Sequence, residues 1–155
     1  MPVVPAAELE SHIGEETGRS EWFTIDQARI SQFADATCDQ QWIHVDPDAA
    51  AQGPFGTTIA HGFLTLSLLS YLSSGSMLLP SGAVMSLNYG SDKVRFLNPV
   101  PVDAKIRAIC VLKDIRQKAE GQILITMTVT VEIEGQEKPA LVAELLTLAI
   151  MGPAE

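Results

Sequence analysis

The chain has few cysteines and few basic residues, and each shortage excludes a class of protein. Its two cysteines, Cys38 and Cys110, cannot form the multi-disulfide framework of a small secreted domain. Ten lysines and arginines stand against nineteen aspartates and glutamates, so the formal net charge is -9. Nucleic-acid phosphates and anionic membranes repel an acidic surface, and we expect neither as a partner. A local basic patch remains available for a small anionic ligand, with the candidates Lys93, Arg95, Lys105 and Arg107.

Long apolar runs are also missing. The longest, residues 63–72, contains Thr65, Ser67 and Ser70 and is too short to span a bilayer. The first ten residues lack the basic and apolar segments of a signal peptide. These features predict a cytoplasmic protein. The length of 155 residues, without an internal repeat or a low-complexity tract, predicts one domain over residues 1–155.

The first half of the chain carries helical patterns. Thr24 and Gln27 have the spacing of a capping box, and apolar residues then recur at helical intervals, which predicts a helix of about three turns. Asp46 and Pro47 are typical of the N-cap and first residue of a short helix. Residues 62–72 are apolar on every side apart from a few hydroxyls. A surface helix would show a polar stripe, so this pattern predicts a helix that is buried all round.

The second half alternates between apolar and polar residues. From Ile123 to Ile133 every second residue is apolar, which indicates a long strand with one buried face. Residues 84–96, 103–112 and 141–151 also suit strands and are separated by turn sequences. Long strands with short connections imply an antiparallel sheet. The predicted fold class is therefore α+β, with a curved antiparallel sheet wrapped around a central buried helix.

A carboxylate and an imidazole lie five residues apart, at Asp39 and His44. Held in one loop, such a pair can bind the same water and move its protons in both directions. The alternatives are a turn-forming cap for Asp39 and a backbone-bonded loop histidine for His44. We interpret His61, directly before the apolar helix, as a structural residue that holds a turn. One aspartate and two histidines are too few ligands for a zinc site, so no metal is predicted.

Three segments together resemble a known family. They are the run from Cys38 to Pro47, the turn Gly53–Gly56 and the run Ile59–Phe63. They are similar to the MaoC-like dehydratases, which are R-specific enoyl-CoA hydratases, and in particular to the nodulation protein N-like branch. The resemblance covers nearly the whole chain. It implies a hot-dog fold, a homodimer, no cofactor, and an acyl-CoA thioester as substrate, with acyl-carrier protein as the other possible carrier.

Matched position by position, the resemblance implies catalytic roles for Asp39 and His44. It places Gly62 on the glycine whose backbone amide donates to an oxyanion, and Ser70 on a serine that lines the same site. The predicted function is R-specific hydration of 2-enoyl-CoA to 3-hydroxyacyl-CoA, or the reverse dehydration. One alternative is a hot-dog thioesterase, in which a carboxylate directs water to the thioester carbon. Another is a non-catalytic module that binds acyl thioesters.

Residues around the pair depart from the pattern of many family members. Cys38 stands where many members have glycine before the aspartate, and Gln41 and Trp42 replace an Asn-Pro pair. Gln41 keeps a side-chain amide, but Trp42 cannot reproduce the fixed φ of proline. Because the Gln-Trp version resembles the nodulation-type branch, we interpret it as a subfamily difference. The geometry of this loop is where we expect the chain to differ.

Overall fold

The computed structural model describes residues 2–153, so the predicted domain limits at residues 1 and 155 lie outside the described residues. A short 3-10 helix at Leu9–His12 lies between the first two strands. The elements of the first half are β1 (Val3–Val4), β2 (Glu16–Arg19), β3 (Phe23–Thr24), α1 (Gln27–Thr37), α2 (Trp42–Val45), α3 (Pro47–Ala51), α4 (Gly62–Ser67) and α5 (Leu69–Leu72). The second half contributes β4 (Leu79–Pro80), β5 (Ala83–Phe96), β6 (Lys105–Ala119), β7 (Gln122–Ile133) and β8 (Leu141–Met151).

One antiparallel sheet dominates the structure. Its strands lie in the order β2-β6-β7-β8-β5, and β3 pairs with β6 beyond β2. A separate two-stranded pair joins β1 and β4 in parallel. The predicted α+β class with an antiparallel sheet is confirmed. Strand β6 extends past the predicted end at Leu112, because its polar second half keeps pairing with β7 up to Ala119.

The core lies between one face of the sheet and the helices. Alternate residues of β6, β7 and β8 point inward and are fully buried, among them Leu112, Met127 and Leu141. Ile30 of α1 and Leu69 of α5 close the core from the helical side. Burial of each such side chain stabilises the fold by about 1.5–3 kcal/mol. The helices that carry the candidate site are therefore anchored to the sheet by apolar contacts.

The start of α1 differs from the predicted capping box. Asp26 is the N-cap, and its carboxylate accepts the backbone N–H of Arg29 at 2.8 Å. Thr24 belongs to β3 and pairs with Lys105, so its extended backbone is committed to the sheet. The helix therefore begins two residues later than the capping box predicts, and the side-chain amide of Gln27 is free for a different contact. The predicted cap on the short third helix is confirmed, since the Asp46 carboxylate accepts the N–H of Ala49 at 3.0 Å.

The central helix is interrupted and half-exposed, so the prediction that it is buried all round is wrong. α4 and α5 are separated at Leu68, and Leu64 and Leu69 face the core. On the other side, Phe63 is 67% and Tyr71 is 64% exposed. The exposed residues recur at helical spacing and form a stripe of Phe63, Ser67, Ser70 and Tyr71. Among residues 2–153, no helix has the length and apolar character needed to cross a bilayer.

Candidate active site

Asp39 lies just beyond a sharp reversal at the end of α1. Cys38 adopts a left-handed conformation with φ 60°, and the N–H of Asp39 donates to the Ala34 carbonyl at 3.0 Å. A non-glycine residue in this region costs about 1–2 kcal/mol, whereas glycine adopts it freely. This accounts physically for the glycine that many family members have at this position. The turn leaves the Asp39 side chain exposed beside α2.

His44 is held from both ends. Its side chain is 7% exposed, and Nδ1 lies 2.7 Å from the Ile59 carbonyl oxygen. Because a carbonyl only accepts, Nδ1 carries the proton and Nε2 keeps a free lone pair. The backbone carbonyl of His44 accepts from the side-chain amide of Gln27 at 2.8 Å, and the Thr58 hydroxyl donates to the Gln27 amide oxygen at 2.6 Å. These bonds leave Nε2 as the nitrogen available for acid–base chemistry.

The surroundings favour neutral His44. Burial lowers its pKa below the usual value, and the neighbouring His61 acts in the same direction. The Ile59 carbonyl and the Asp39 carboxylate oppose this shift. Burial is the largest of these effects, because a charged imidazolium loses water that the protein replaces only in part. His44 is therefore suited to accept a proton near neutral pH and to release it readily.

His61 joins the other two residues. It is 3% exposed, and its Nε2 donates to the backbone carbonyl of Asp39 at 3.0 Å. Its ring stacks on His44 with centroids 3.8 Å apart and an interplanar angle of 25°. One side-chain ligand atom from each of Asp39, His44 and His61 lies within 4.8 Å of the other two. The free lone pairs of the two stacked rings lie in nearly parallel planes, which is a poor geometry for binding one metal ion.

Gly62 and His44 line the same cavity of about 320 Å³. Gly62 is the first residue of α4, so its N–H has no acceptor within the helix. A Cβ atom placed on Gly62 would lie 3.0–3.1 Å from ring carbons of Phe96, which also lines the cavity. Asp39 is not part of this lining and approaches His44 from outside it. The cavity is thus lined by His44, by the first residue of α4 and by a largely apolar wall.

Ser70 lies in a different place. It lines a second cavity of about 370 Å³ between α4/α5 and strands β5 and β8, and that cavity contains neither His44 nor Gly62. The structure therefore brings together Asp39, His44 and His61, and places Gly62 beside His44, but it does not bring Ser70 to them. The assignment of Ser70 stays a prediction. The residues that support His44, namely Gln27, Thr58 and Ile59, were missed because no local pattern marks a contact between distant segments.

The predicted basic patch is largely neutralised by glutamates. Three of its four residues form ion pairs on the outer face of the sheet, and Arg95 forms none within residues 2–153. The pairs are Lys93–Glu144, Lys105–Glu134 and Arg107–Glu132, with N–O distances of 2.8, 3.3 and 2.7 Å. Since paired charges offer little net attraction, these residues do not form a strong anion site.

Comparison with known proteins identifies the family of the chain. The model of the MaoC like domain matches residues 8–136. The 3-hydroxyacyl-thioester dehydratase Z of Mycobacterium tuberculosis is 51% identical over 138 residues, covering 89% of this chain and 91% of that protein. Nodulation protein N of Rhizobium leguminosarum bv. viciae is 47% identical over 154 residues, covering 99% and 96%.

A solved structure extends the likeness to the fold. The (R)-hydratase from A. caviae involved in PHA biosynthesis superposes with a TM-score of 0.71 and 25% identity, over 87% of this chain and 94% of that one. The resemblance seen in the sequence is thereby confirmed. The chain belongs to the MaoC-like dehydratase family, has the hot-dog fold and is a hydro-lyase.

Proposed function

We propose that the protein catalyses R-specific hydration of 2-enoyl-CoA to 3-hydroxyacyl-CoA, or the reverse dehydration. The observation that carries this proposal is an Asp39 carboxylate oxygen within 4.8 Å of a His44 ring nitrogen, with Gly62 on the cavity that His44 also lines. Hydration of an enoyl thioester requires a base that activates water, an acid that protonates the α-carbon and a hydrogen-bond donor to the thioester oxygen. These residues offer one group for each requirement.

In the hydration direction, one water binds between Asp39 and the Nε2 of His44. The pair removes a proton from the water as its oxygen bonds to the β-carbon of the substrate, and electrons move onto the thioester oxygen. The Gly62 N–H donates to that oxygen, and one such donor is typically worth about 3 kcal/mol of barrier. The pair then delivers a proton to the α-carbon, so the elements of one water are added. This acid–base chemistry needs no cofactor.

The identity of the thioester and the cellular site are part of the proposal. A named relative acts on 3-hydroxyacyl thioesters, and we propose CoA as the carrier because the formal charge of -9 disfavours an acidic carrier protein. Ser70 would contact the acyl group from the second cavity. A cytoplasmic location is consistent with Cys38 and Cys110, both of which are free thiols.

The direct test is an assay on crotonyl-CoA. Hydration is followed as loss of enoyl absorbance, and chiral analysis of the product tests R-specificity. We expect Asp39→Asn and His44→Asn each to lower kcat/KM by at least a hundredfold while ligand binding is retained. Release of free thiol from a saturated acyl-CoA, without change in enoyl absorbance, would instead indicate a thioesterase. Binding without turnover in the parent protein would reject the catalytic proposal.

We also propose that the protein is a homodimer. Within residues 2–153, strand β5 ends the sheet and pairs only with β8, which leaves its other edge open. Apolar side chains on and near this strand are exposed, including Val84 at 69% and Met85 at 51%. An open edge beside exposed apolar side chains is typical of an interface. A second copy of β5 would extend the sheet across that edge.

Light scattering after size exclusion tests this arrangement. We expect a dimer for the parent and a monomer, or a much weaker dimer, for Val84→Glu. The matched control is Ile13→Glu, because Ile13 is also exposed but precedes β2 at the opposite end of the sheet. A monomeric parent, or equal dissociation by both substitutions, would reject β5 as the interface.

A further inference from the structure

His61 is buried between the two proposed catalytic residues, yet no step of the proposed reaction uses it. Its side chain is 3% exposed, which is less than that of His44. One ring face stacks on His44, and the ring of Phe33 lies 5.1 Å away at a tilt of 53°. Burial of a polar group costs free energy, so the contacts that His61 makes must compensate for the burial of its ring or contribute to function. Two of these contacts give reasons for its burial.

The contact with Asp39 is one such reason. Asp39 follows the left-handed turn at Cys38, where its N–H bonds to the Ala34 carbonyl of α1, and its side chain is exposed. The bond from His61 Nε2 to the Asp39 carbonyl ties this segment to the start of α4 across twenty-two residues of sequence. A hydrogen bond to the backbone fixes the Asp39 Cα without occupying its carboxylate. The carboxylate stays available for water.

The contact with His44 is the second reason. The bond from Nδ1 to Ile59 orients the His44 ring from one edge but does not cover the faces of the ring. At a centroid distance of 3.8 Å, the stacked His61 ring restrains the plane and excludes water from that face. Both effects act on the direction and hydration of Nε2.

The hydrogen bonds also select one form of His61. Nε2 donates to a carbonyl, and Nδ1 is buried with no partner within residues 2–153. Because a carbonyl only accepts, the proton of the neutral ring is on Nε2, and Nδ1 keeps its lone pair. The site therefore accommodates the Nε2–H tautomer of His61, whose N–H is directed to the Asp39 backbone.

We propose that His61 is a positioning residue for both members of the pair, holding Asp39 through its backbone and His44 through ring stacking. This inference rests on the proposed hydratase function and deepens it. Two functions of one side chain are separable by substitution. Phenylalanine keeps a ring against His44 but has no donor for Asp39, whereas glutamine keeps a donor but has no ring.

The experiment compares His61→Phe and His61→Gln by kinetics and by NMR titration of His44. The groups that face His44 are the Asp39 carboxylate, the His61 ring and the Ile59 carbonyl. His61→Gln admits water to one face of the His44 ring, so we expect the pKa of His44 to rise toward its usual value. His61→Phe keeps that face dry, and the pKa should stay low. The chain has three histidines, so each His61 variant retains only His12 and His44 to be assigned.

For turnover, we expect each substitution to lower kcat by about tenfold to a hundredfold with a smaller change in KM, since a misplacement of about 1 Å can cost a hundredfold. The matched control is Phe33→Leu, which alters packing on the far side of His61 but leaves both of its contacts in place. The folded fraction of that variant should keep the parental kcat and the parental titration of His44.

The proposal is overturned if both His61 variants keep kcat within twofold of the parent. It is also overturned if the His44 titration is the same in His61→Gln and His61→Phe. The titration requires no turnover, so it tests the positioning of His44 by His61 separately from the proposed hydratase function. Should the parent lack hydratase activity while His61→Gln alone raises the pKa of His44, the proposed function fails and the restraint of His44 by His61 is upheld. If His61→Gln does not fold, the kinetics of His61→Phe still decide the link to Asp39.

Discussion

Substitution of Gly62 by alanine isolates the role of space beside the proposed oxyanion donor. The added Cβ would meet Phe96 ring carbons at 3.0–3.1 Å, where ordinary contact begins at 3.4 Å, so the ring must retreat by about 0.4 Å or α4 must shift. Phe96 is 47% exposed and has room to move. Alanine also favours helix more than glycine by up to about 1 kcal/mol. We therefore expect the free energy of unfolding to change by less than about 1 kcal/mol.

Activity should respond far more than stability. The new methyl group and the displaced ring enter the cavity where the thioester would lie, and misplacement on this scale costs about tenfold to a hundredfold. That loss in kcat/KM corresponds to about 1.4–2.8 kcal/mol of barrier. The assay is crotonyl-CoA hydration at several substrate concentrations, together with urea denaturation of the same preparations.

The background variant Phe96→Ala separates the ring from the methyl group. If crowding of the ring causes the loss, Gly62→Ala should cost only a few-fold when Phe96 is already alanine. An equal loss in both backgrounds would show that the methyl group itself obstructs the substrate. A folded Gly62→Ala protein with parental kcat/KM would refute the reasoning that this position needs a glycine for catalysis.

Three further outcomes are expected from the same structure. Cys38→Gly should raise the free energy of unfolding by about 0.5–1 kcal/mol in urea melts, because relief of about 1–2 kcal/mol of left-handed strain outweighs the greater freedom of the unfolded chain. In the native protein a thiol reagent should label exposed Cys38 alone, since Cys110 is buried and burial raises its pKa to about 11. Denaturant should make the Cys110 thiol reactive as well. Rapid labelling of both thiols in the native protein would contradict this prediction. Because the pKa of His44 is lowered on folding, the unfolded chain binds the extra proton below about pH 6.5 and stability falls as the pH drops from there toward the folded pKa. His44→Asn should flatten that part of a plot of unfolding free energy against pH, and an unchanged slope would contradict the assignment.

Local patterns predicted those parts of the fold that depend on local physics. The structure confirms the bounds of β8 at Leu141–Met151 and the alternation of β7 from Met127 to Ile133, while four consecutive residues of β7, Leu124 to Met127, are buried. The Asp46 cap depends on neighbours three residues away and is also correct. The half-exposed face of α4 and α5 was not predicted, since apolar residues on a helix do not reveal whether the chain itself covers them.

The candidate site likewise has one part that local spacing predicts and another part that it does not. Asp39 and His44 share one short segment, and their proximity was predictable from spacing. The stacking of His61 on His44 joins segments seventeen residues apart and depends on how α4 is placed against α2. Gln27 has a side chain that suits either a local cap or a distant partner. Its choice of the His44 carbonyl follows from the position of α2, which sequence spacing does not encode.

One four-residue segment, Ile59 to Gly62, positions several groups of the candidate site. It supplies the carbonyl that orients His44, the ring that stacks on it and the amide proposed for the oxyanion. Two backbone hydrogen bonds hold this segment in place. The Ile59 N–H donates to the Ile43 carbonyl at 3.0 Å, and the Ala60 N–H donates to the Val100 carbonyl at 2.8 Å. A disturbance of this segment therefore displaces several functional groups together. The losses of activity caused by substitutions within this segment should therefore be strongly non-additive. A second substitution should cost little once the first has displaced the segment.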